Sequence, residues 1–491
     1  MKKIIVIWAG PGWLASAMIL ASKWYDVTIY EKQANVWGRN SFLQLWEYRF
    51  DLWPTFLMYL PALQDVFEKS GKKVEDYLNI LQLDPLYKLS YDSGKEFHPR
   101  AKTQDTLKEL EKVFPNDAKN YEKYIQKEWE KFDALLPCFQ KPYGKFSDLM
   151  HPSFLKTIPK LDLFNSLLGR LRTYFSDEDL RIAMTFQSKY LGMSPRRCPA
   201  SFTILSYLEH KMWIYHVEWG LNKISEAMAK VVQEYNGKIH LNTSVKKIIV
   251  ENGVARWVEL ENGEKDFSDA LILNGDFSYS MKHLLENSER KRYTDKKIDK
   301  KWFSCSTILF YLGLDTIYEN LNHHNIVFNK NYKNFVEKIS DYQDISDDFS
   351  FYVHNPSVLD KTLAPEWHSS LYILVPTPNN RSEINWEDKK EKMLEQIFAT
   401  LEKRFGITDI KQHIKQKHII TPNDWEADYN VHLWAVFNLS HNIWQMLYFR
   451  PHNEFEDVKN MYIVWGGTHP GSGLPTIYES GIISAMIIDK K

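Results

Sequence analysis

The chain has 491 residues, with Lys+Arg 62 against Asp+Glu 63, a formal net charge of -1, and 44% hydrophobic and 25% charged residues. That is ordinary globular composition with room for two or three domains of roughly 100–200 residues each, and the balanced charge offers no basic face for the phosphates of a nucleic acid. Cys138, Cys198 and Cys305 are odd in number, far apart and outside any C-x-x-C pairing, so neither a disulfide framework nor a cysteine metal site is encoded, and a reducing cytoplasm is expected.

Met1-Lys2-Lys3 followed by the uncharged stretch Ile4 to Ser22 imitates a signal peptide or a membrane span. Turn residues at Ala9-Gly10-Pro11-Gly12 divide it, however, into a β-branched run (Ile4 to Ile7) and a helix-forming run (Leu14 to Ser22). Asp26 to Lys32 then reads as a second strand, giving β-α-β within about thirty residues, the span a crossover unit needs. In such a unit the pyrophosphate of a dinucleotide lies on the N-terminus of the first helix, where free N–H groups and the helix dipole favour negative charge. The pattern asks for glycines in G-x-G-x-x-G and for an acid about twenty residues on. The window reads Trp8-Ala9-Gly10-Pro11-Gly12-Trp13, with Glu31 ending the second strand. The middle glycine and the acid are in place, while the first and third glycines are tryptophan. Taken alone, this half-motif also fits a generic strand-turn-helix opening an α/β domain.

Residues 76–205 read as mainly helical, with helices over Thr103 to Val113 and Asn120 to Leu136 and a helix start at Ser176-Asp177-Glu178-Asp179. Between Phe154 and Phe175, the apolar residues Leu155, Ile158, Leu161, Leu163, Phe164, Leu167, Leu168 and Leu171 interleave with Lys156, Lys160, Arg170 and Arg172. That mix suits an interfacial element facing anionic lipid, and equally an amphipathic helix capping a core. Ile239 to Asn242 and Val245 to Val250 alternate as strands, with turns at Glu251-Asn252-Gly253 and Glu261-Asn262-Gly263. Ala270 to Asp276 reads as a buried parallel strand. The basic run from Lys291 to Lys301 reads as a solvated face. His323-His324 is an adjacent pair in a polar loop with no acid at ligand spacing, so no metal site is expected.

Further motifs follow at Val36-Trp37-Gly38-Arg39-Asn40-Ser41, Phe50-Asp51-Leu52-Trp53-Pro54-Thr55, Ser304-Cys305-Ser306-Thr307, Leu363-Ala364-Pro365-Glu366, Leu374-Val375-Pro376-Thr377-Pro378, Thr421-Pro422-Asn423-Asp424 and Tyr448-Phe449-Arg450-Pro451-His452-Asn453. The most discriminating is Val464-Trp465-Gly466-Gly467-Thr468-His469-Pro470-Gly471-Ser472-Gly473-Leu474-Pro475. Together they resemble the bacterial phytoene and diapophytoene desaturases, FAD-dependent carotenoid desaturases related to the amine oxidases, over almost the full length. The resemblance implies an α/β fold with a Rossmann-type FAD-binding domain (1–75, 206–285 and 411–491), a discontinuous α+β substrate domain (76–205 and 286–410) and a helical membrane-facing part.

It implies that Gly10, Pro11 and Gly12 approach the FAD pyrophosphate, that Glu31, with Lys32 beside it, binds the adenosine ribose, and that Gly38 and Arg39 contact phosphate or flavin. Pro54 and Thr55 then lie near the isoalloxazine, and Val245 presents backbone to adenine. Gly466, Gly467, Thr468, Gly471 and Gly473 lead into the last helix, whose dipole faces the flavin, and His469 is the candidate beside its reacting edge. Arg39 as a surface ion-pair residue, Glu31 as a strand cap and His469 as a turn histidine are the alternative readings. The expected partners are a long-chain polyene and, peripherally, the inner face of the cell membrane, with no nucleic acid; the oligomeric state is not encoded legibly. Flavin-dependent polyene oxidation, isomerisation or saturation is the alternative chemistry.

The chain holds Trp 17 beside Gly 20, so glycine is about 4% of the residues where about 7% is usual, a shortfall of roughly a dozen. Twelve tryptophans stand where the family pattern suggests glycine: Trp8, Trp13, Trp24, Trp37, Trp46, Trp53, Trp213, Trp219, Trp257, Trp367, Trp434 and Trp465. Glycine is demanded where φ is positive or backbones approach closely. The expectation is a gene in which UGA encodes glycine but has been read as tryptophan. Trp129, Trp302, Trp386, Trp425 and Trp444 show no such demand. If all seventeen are genuine, the expected protein binds no flavin, folds poorly and is at most a polyene- or lipid-binding protein.

Overall fold

The computed structural model describes residues 1–491 except Trp37 and Leu163, and of Ser153 only the backbone. The opening unit is strand β1 (Lys3–Ile7), helix α1 (Pro11–Ser22) and strand β2 (Asp26–Tyr30), joined later in the chain by β3 (Lys238–His240), β4 (Ala270–Leu273), β5 (Met461–Ile463) and the last helix α2 (Leu474–Asp489). The five strands form one parallel sheet in the order β3-β2-β1-β4-β5. β1 is central, pairing Ile4 with Val27 on one side and with Ala270 on the other. Because side chains alternate along a strand, Ile4 and Val6 join the apolar cluster holding α1 and α2, while Ile5 and Ile7 join the cluster behind Val245, Val258 and Phe277. Both faces of the sheet are thus covered, which is why β1 reads as an unbroken apolar run.

Helix α1 is buried from Pro11 to Ala21, packed between the sheet, α2 and the helix Asn222–Glu234. An apolar face all round is the mark of a helix with protein on every side. Closest approach to α2 falls on glycine. A Cβ at Gly481 would lie 2.3 Å from the Gly12 carbonyl oxygen, and one at Gly12 would lie 2.6 Å from Cγ2 of Ile477. The Ser16 hydroxyl adds a hydrogen bond to the Gly481 carbonyl at 2.8 Å.

A second, seven-stranded sheet runs in the order Ile414–Ile420, Ser306–Leu314, Ser369–Thr377, Phe351–His354, His324–Val327, Lys88–Ser90, Glu96–Phe97. A small sheet of Leu57–Met58, Ile214–Val217 and Ile80–Gln82 stands beside it. Helices Thr103–Val113 and Ala118–Phe139 form where expected, and Asp177 caps Glu178–Ala183 by accepting from the backbone N–H groups of Asp179 and Leu180. The strand Val245–Glu251 turns back as Val254–Leu260 and then Lys265–Phe267, antiparallel throughout.

The expected amphipathic element from Phe154 to Phe175 is instead three short helices, Pro152–Leu155, Ile158–Leu161 and Leu167–Leu171. Leu161, Leu167 and Leu171 turn into the core, and Arg170 pairs with Asp162 at 3.2 Å. Leu163 of that stretch lies outside the described residues. The exposed apolar side chains are Phe146, Met150, Leu155, Ile158 and Phe164, so the surface patch begins before the stretch singled out by pattern. Among the described residues no helix is long and apolar enough to cross a membrane.

Among the described residues, every tryptophan at positive φ is one where glycine is expected from sequence. Trp8, Trp24, Trp46, Trp213, Trp219, Trp367, Trp434 and Trp465 have positive φ, at 70°, 66°, 54°, 66°, 70°, 64°, 55° and 113°. Trp13, Trp53 and Trp257 do not, and Trp37 lies outside the described residues. Trp129, Trp302, Trp386, Trp425 and Trp444, the five with no expected glycine demand, all have ordinary φ. A bulky residue at positive φ is an outlier, whereas glycine pays no Cβ penalty there. Trp13 shows the other kind of conflict: it is wholly buried on α1, with its indole N–H lacking a partner. The ring is nonetheless accommodated in the core.

Candidate functional site

The loop between β1 and α1 opens a polar cleft of about 660 Å³, lined by Gly10, Glu31, Lys32, Gly38, Arg39, Asn274 and Asp276. Gly10 precedes α1 with no side chain capping the helix; Pro11 has no N–H and Trp13 gives its own to the Gly10 carbonyl at 3.2 Å, which leaves the Gly12 N–H of the first turn to face an anion. The cradle is made for backbone. A Cβ on Gly38, whose φ is 52°, would stand 3.2 Å from the Gly10 Cα, and one on Gly10 would stand 2.7 Å from Nδ2 of Asn274. The Asn274 Oδ1 is buried without a partner, an acceptor waiting for a donor.

Glu31 ends β2 and is buried. Burial raises its pKa, opposed by hydrogen bonds from the backbone N–H of Gln33 at 2.9 Å and of Ala9 at 2.6 Å. The carboxylate therefore ties the glycine loop to the strand end. The Lys32 ammonium reaches the Asp428 carbonyl at 3.3 Å on the cleft rim. Val245 does not line the cleft; its side chain packs into the apolar cluster with Ile5 and Tyr30.

Arg39 is buried and so is no surface ion-pair residue. Burial lowers its pKa to about 10 against the pull of nearby Asp276. The guanidinium donates to the Val436 carbonyl and lies 4.9 Å from the centre of the Trp465 ring. Asp276, raised to about 6 by burial, accepts from the Asn438 amide at 2.8 Å.

Arg39 and Trp465 border both the cleft and an apolar cavity of about 290 Å³. Pro54, Thr55, Gly466 and Gly473 line that cavity at the junction; Phe56, Leu208, Phe328, Tyr352 and Leu374 form its walls. Thr307 Oγ1 is buried at its edge without a partner. Tyr352 donates to the Thr55 hydroxyl at 2.9 Å. Lys189, unforeseen from sequence, also lines the cavity. Its ammonium has no hydrogen-bond partner, and burial lowers its pKa to about 8.

The C-terminal glycine loop is held from behind by Arg450, which is wholly buried. It donates to the carbonyls of Thr468 at 3.1 Å, Gln445 at 2.8 Å, Leu439 at 3.1 Å and Gly466. Thr468 donates its N–H to Trp465 at 3.0 Å. A Cβ on Gly467 would meet Asn438 and Phe277 at 2.6 Å, and one on Gly471, where φ is 146°, would meet the His441 ring at 2.6 Å. His469 lies behind this loop rather than on the cavity wall: it is buried edge-on to Tyr143 at 4.9 Å, and burial holds its pKa down at about 3. Arg450 stands in a motif that sequence reading had noted without a role, whereas Lys189 carries no local signal at all.

The cleft therefore supplies what a dinucleotide needs, an uncapped helix N-terminus, a close glycine approach, a buried acid and a buried arginine, and it adjoins an apolar chamber across Arg39 and Trp465. Two rings intrude. Trp8 and Trp465 both line the cleft, and Trp8 packs so closely on Gly275 that a Cβ there would lie 1.9 Å from its Cζ3.

Residues 14–488 match the family model described as flavin containing amine oxidoreductase. The chain is 44% identical over 490 residues to a 4,4'-diapophytoene desaturase (4,4'-diapolycopene-forming) of Methylomonas sp, covering 100% of this chain and 96% of that one. It is 33% identical over 497 residues to the all-trans-zeta-carotene desaturase of Myxococcus xanthus, covering 100% and 94%. In fold it resembles an oxidoreductase from Methanosarcina mazei, with a TM-score of 0.65 at 17% identity and 100% of each chain covered. The chain belongs to the flavin containing amine oxidoreductase family and is an FAD-dependent oxidoreductase.

Proposed function

We propose that the protein desaturates a carotenoid-type polyene of the phytoene or diapophytoene class. The observation that carries this reading is the junction at Arg39 and Trp465, where a cleft built for a dinucleotide adjoins a chamber walled by aromatic and aliphatic side chains. Bound FAD would supply a two-electron acceptor for a hydride from an allylic carbon, with a proton lost from the neighbouring carbon to solvent as the C=C bond forms. The chain's part is to hold and to exclude water. Gly10, Pro11, Gly12, Gly38 and Arg39 would hold the pyrophosphate, Glu31 and Lys32 the adenosine end, and Pro54, Thr55 and the Gly466 to Gly473 loop the ring end. In this reading the Val245 backbone faces the adenine, and His469 packs the glycine loop from behind. Phe56, Tyr352 and Leu374 place the chain of an apolar substrate against that end while keeping it dry. Residues 1–75, 206–285 and 411–491 form the cofactor part in this reading, and 76–205 and 286–410 the substrate part.

The natural polypeptide, in the same reading, carries glycine at the twelve tryptophan sites, its gene using UGA as a glycine codon. Eight of the eleven described sites have positive φ against none of the other five tryptophans, a division that side-chain chemistry does not produce and glycine demand does. The test is the absorption spectrum of two purified proteins, one as written and one with glycine at the twelve sites, followed by product analysis with supplied polyenes. A flavin band only in the glycine form, with conjugated products, supports both readings. Flavin in neither form removes the desaturase reading and leaves a polyene- or lipid-binding protein. UGG codons at the twelve sites would falsify the recoding.

For substrate delivery we place the protein peripherally on the cytoplasmic face of the cell membrane. Phe146, Met150, Leu155, Ile158 and Phe164, the last 98% exposed, stand with the exposed cations Lys145, Lys156 and Lys160 on one short stretch of chain, a composition that favours an anionic interface. Flotation with anionic vesicles should be lost in Ile158→Asp with Phe164→Asp; unchanged flotation rejects the contact.

A further inference from the structure

His323 and His324 are not in a polar loop: they are 7% and 0% exposed. His216 is on the strand Ile214–Val217 of the small sheet, and His354 ends the strand Phe351–His354 of the seven-stranded sheet, next to the strand that His323 precedes. The fold brings these three imidazoles together from distant parts of the chain. Ring centres of His216 and His323, and of His323 and His354, are each 4.8 Å apart, and one nitrogen from each of the three lies within 4.8 Å of the others.

Their hydrogen-bond inventory is incomplete. Nδ1 of His216, both ring nitrogens of His323 and Nε2 of His354 are buried without partners, where native interiors pair nearly all such atoms. The other nitrogen of His216 is firmly held: Nε2 lies 2.8 Å from Asp360 Oδ2. Asp360 is fixed in turn by the backbone N–H groups of Trp219 and Thr362, each at 2.9 Å. An imidazole whose Nε2–H is given to a carboxylate presents a bare lone pair at Nδ1, the arrangement that orients a histidine toward a metal and strengthens it as a ligand.

We propose that His216, His323 and His354 form a binding site for a divalent first-row transition ion of the zinc class, with Asp360 as its supporting carboxylate. Three imidazoles suit zinc, copper, iron or nickel and disfavour magnesium and calcium. Bonds of about 2.0–2.1 Å put tetrahedral ligand nitrogens roughly 3.4 Å apart, so the trio has only to draw in by side-chain rotation. The ion ties the small sheet to the large one. It also stands one residue behind the substrate chamber: His324 stacks on Phe56 at 4.1 Å and bonds the Tyr352 hydroxyl at 2.6 Å, and both partners line the cavity wall. Its role is therefore to position that wall, outside the redox chemistry.

Elemental analysis of the full-length, flavin-loaded protein, purified without an affinity-tag histidine run or chelator, should find one transition ion per chain. After chelation, added cobalt(II) should give the visible d–d absorption of a four-coordinate site, and zinc should raise Tm. Both responses should vanish in His323→Ala with His354→Ala, and Asp360→Asn should weaken metal affinity about 10–100-fold while leaving the ligands in place. A folded, flavin-loaded protein that holds no stoichiometric metal and shows neither cobalt absorption nor a zinc-dependent Tm overturns the proposal and assigns the nitrogens to buried water. These readouts do not depend on turnover, so they stand or fall separately from the desaturase reading.

Discussion

The dinucleotide cleft and the apolar chamber share Arg39 and Trp465 but are made of different material. At its glycine loop the cleft is shaped by backbone: Gly10 and Gly38 each sit where an added Cβ would fall within 3.2 Å of a neighbouring atom. The chamber is walled by side chains such as Phe56, Leu208, Phe328 and Leu374. Shape set by backbone is indifferent to side-chain repacking and intolerant of any new atom, whereas shape set by side chains tolerates exchange at constant volume. The comparison also explains why tryptophan at positive φ matters unequally: Trp24, Trp46 and Trp367 project into solvent, while Trp8 and Trp465 put rings into the cleft itself.

The largest expected effect tests the backbone side. Glycine at the eight positive-φ tryptophan sites should each relieve about 1 kcal/mol of left-handed strain, roughly 8 kcal/mol together, read as a rise in the denaturant midpoint. Trp425→Gly, which removes a packed ring and its 3.0 Å bond to the Thr307 carbonyl, should instead cost about 3–5 kcal/mol. Opposite signs in the two sets are required; similar losses in both would show that the tryptophans are native.

Next comes the α1–α2 contact. Gly481→Val, placing a Cβ 2.3 Å from the Gly12 carbonyl, should cost about 3 kcal/mol or more and release flavin on gel filtration. Leu208→Met in the chamber should cost under about 1.5 kcal/mol and retain it.

Lys189 offers a test of comparable size and opposite sign. Its folded pKa of about 8 lies below the ordinary lysine value of 10.5, so its buried charge is unfavourable below pH 8 and the penalty is relieved as pH rises from about 8 to 10.5. Lys189→Met should therefore stabilise the protein at pH 7 by roughly 3 kcal/mol and abolish the gain in stability that the parent shows across that window, followed by urea unfolding at several pH values. The smallest effect is expected from Thr55→Val, which removes the acceptor of the Tyr352 hydroxyl for about 1 kcal/mol, measured as a shift in Tm.

What was legible in the sequence follows the same division. The β1-α1-β2 unit, the strand at Ala270 and the helix starts are local patterns, and the periodicities that announce them survive folding unchanged. The glycine demand was legible too, because a backbone requirement is written at its own position, as at Trp8 and Trp465. Burial was not. Arg39, His323 and His324 look polar and exposed in one dimension, and what hides them arrives from residues far along the chain: Val436 for Arg39, and the strand Ile214–Val217 for the histidines. The run from Phe154 to Phe175 misled for a related reason, since an amphipathic pattern says that one face is covered without saying whether by lipid or by protein.

The meeting of the first helix with the last has a consequence for how the protein is made. On a ribosome, residues 11–22 emerge some 450 residues before the helix Leu474–Asp489 that covers them, and β5 joins the sheet equally late. The glycine contact between Gly12 and Gly481 cannot close until residue 481 has been made, so the nascent chain must keep the apolar helix Pro11–Ser22 out of wrong partnerships while the intervening residues are translated. Closure of the fold around a cofactor is thereby deferred until the helix Leu474–Asp489 has been made, and chaperone demand should fall on residues 11–22.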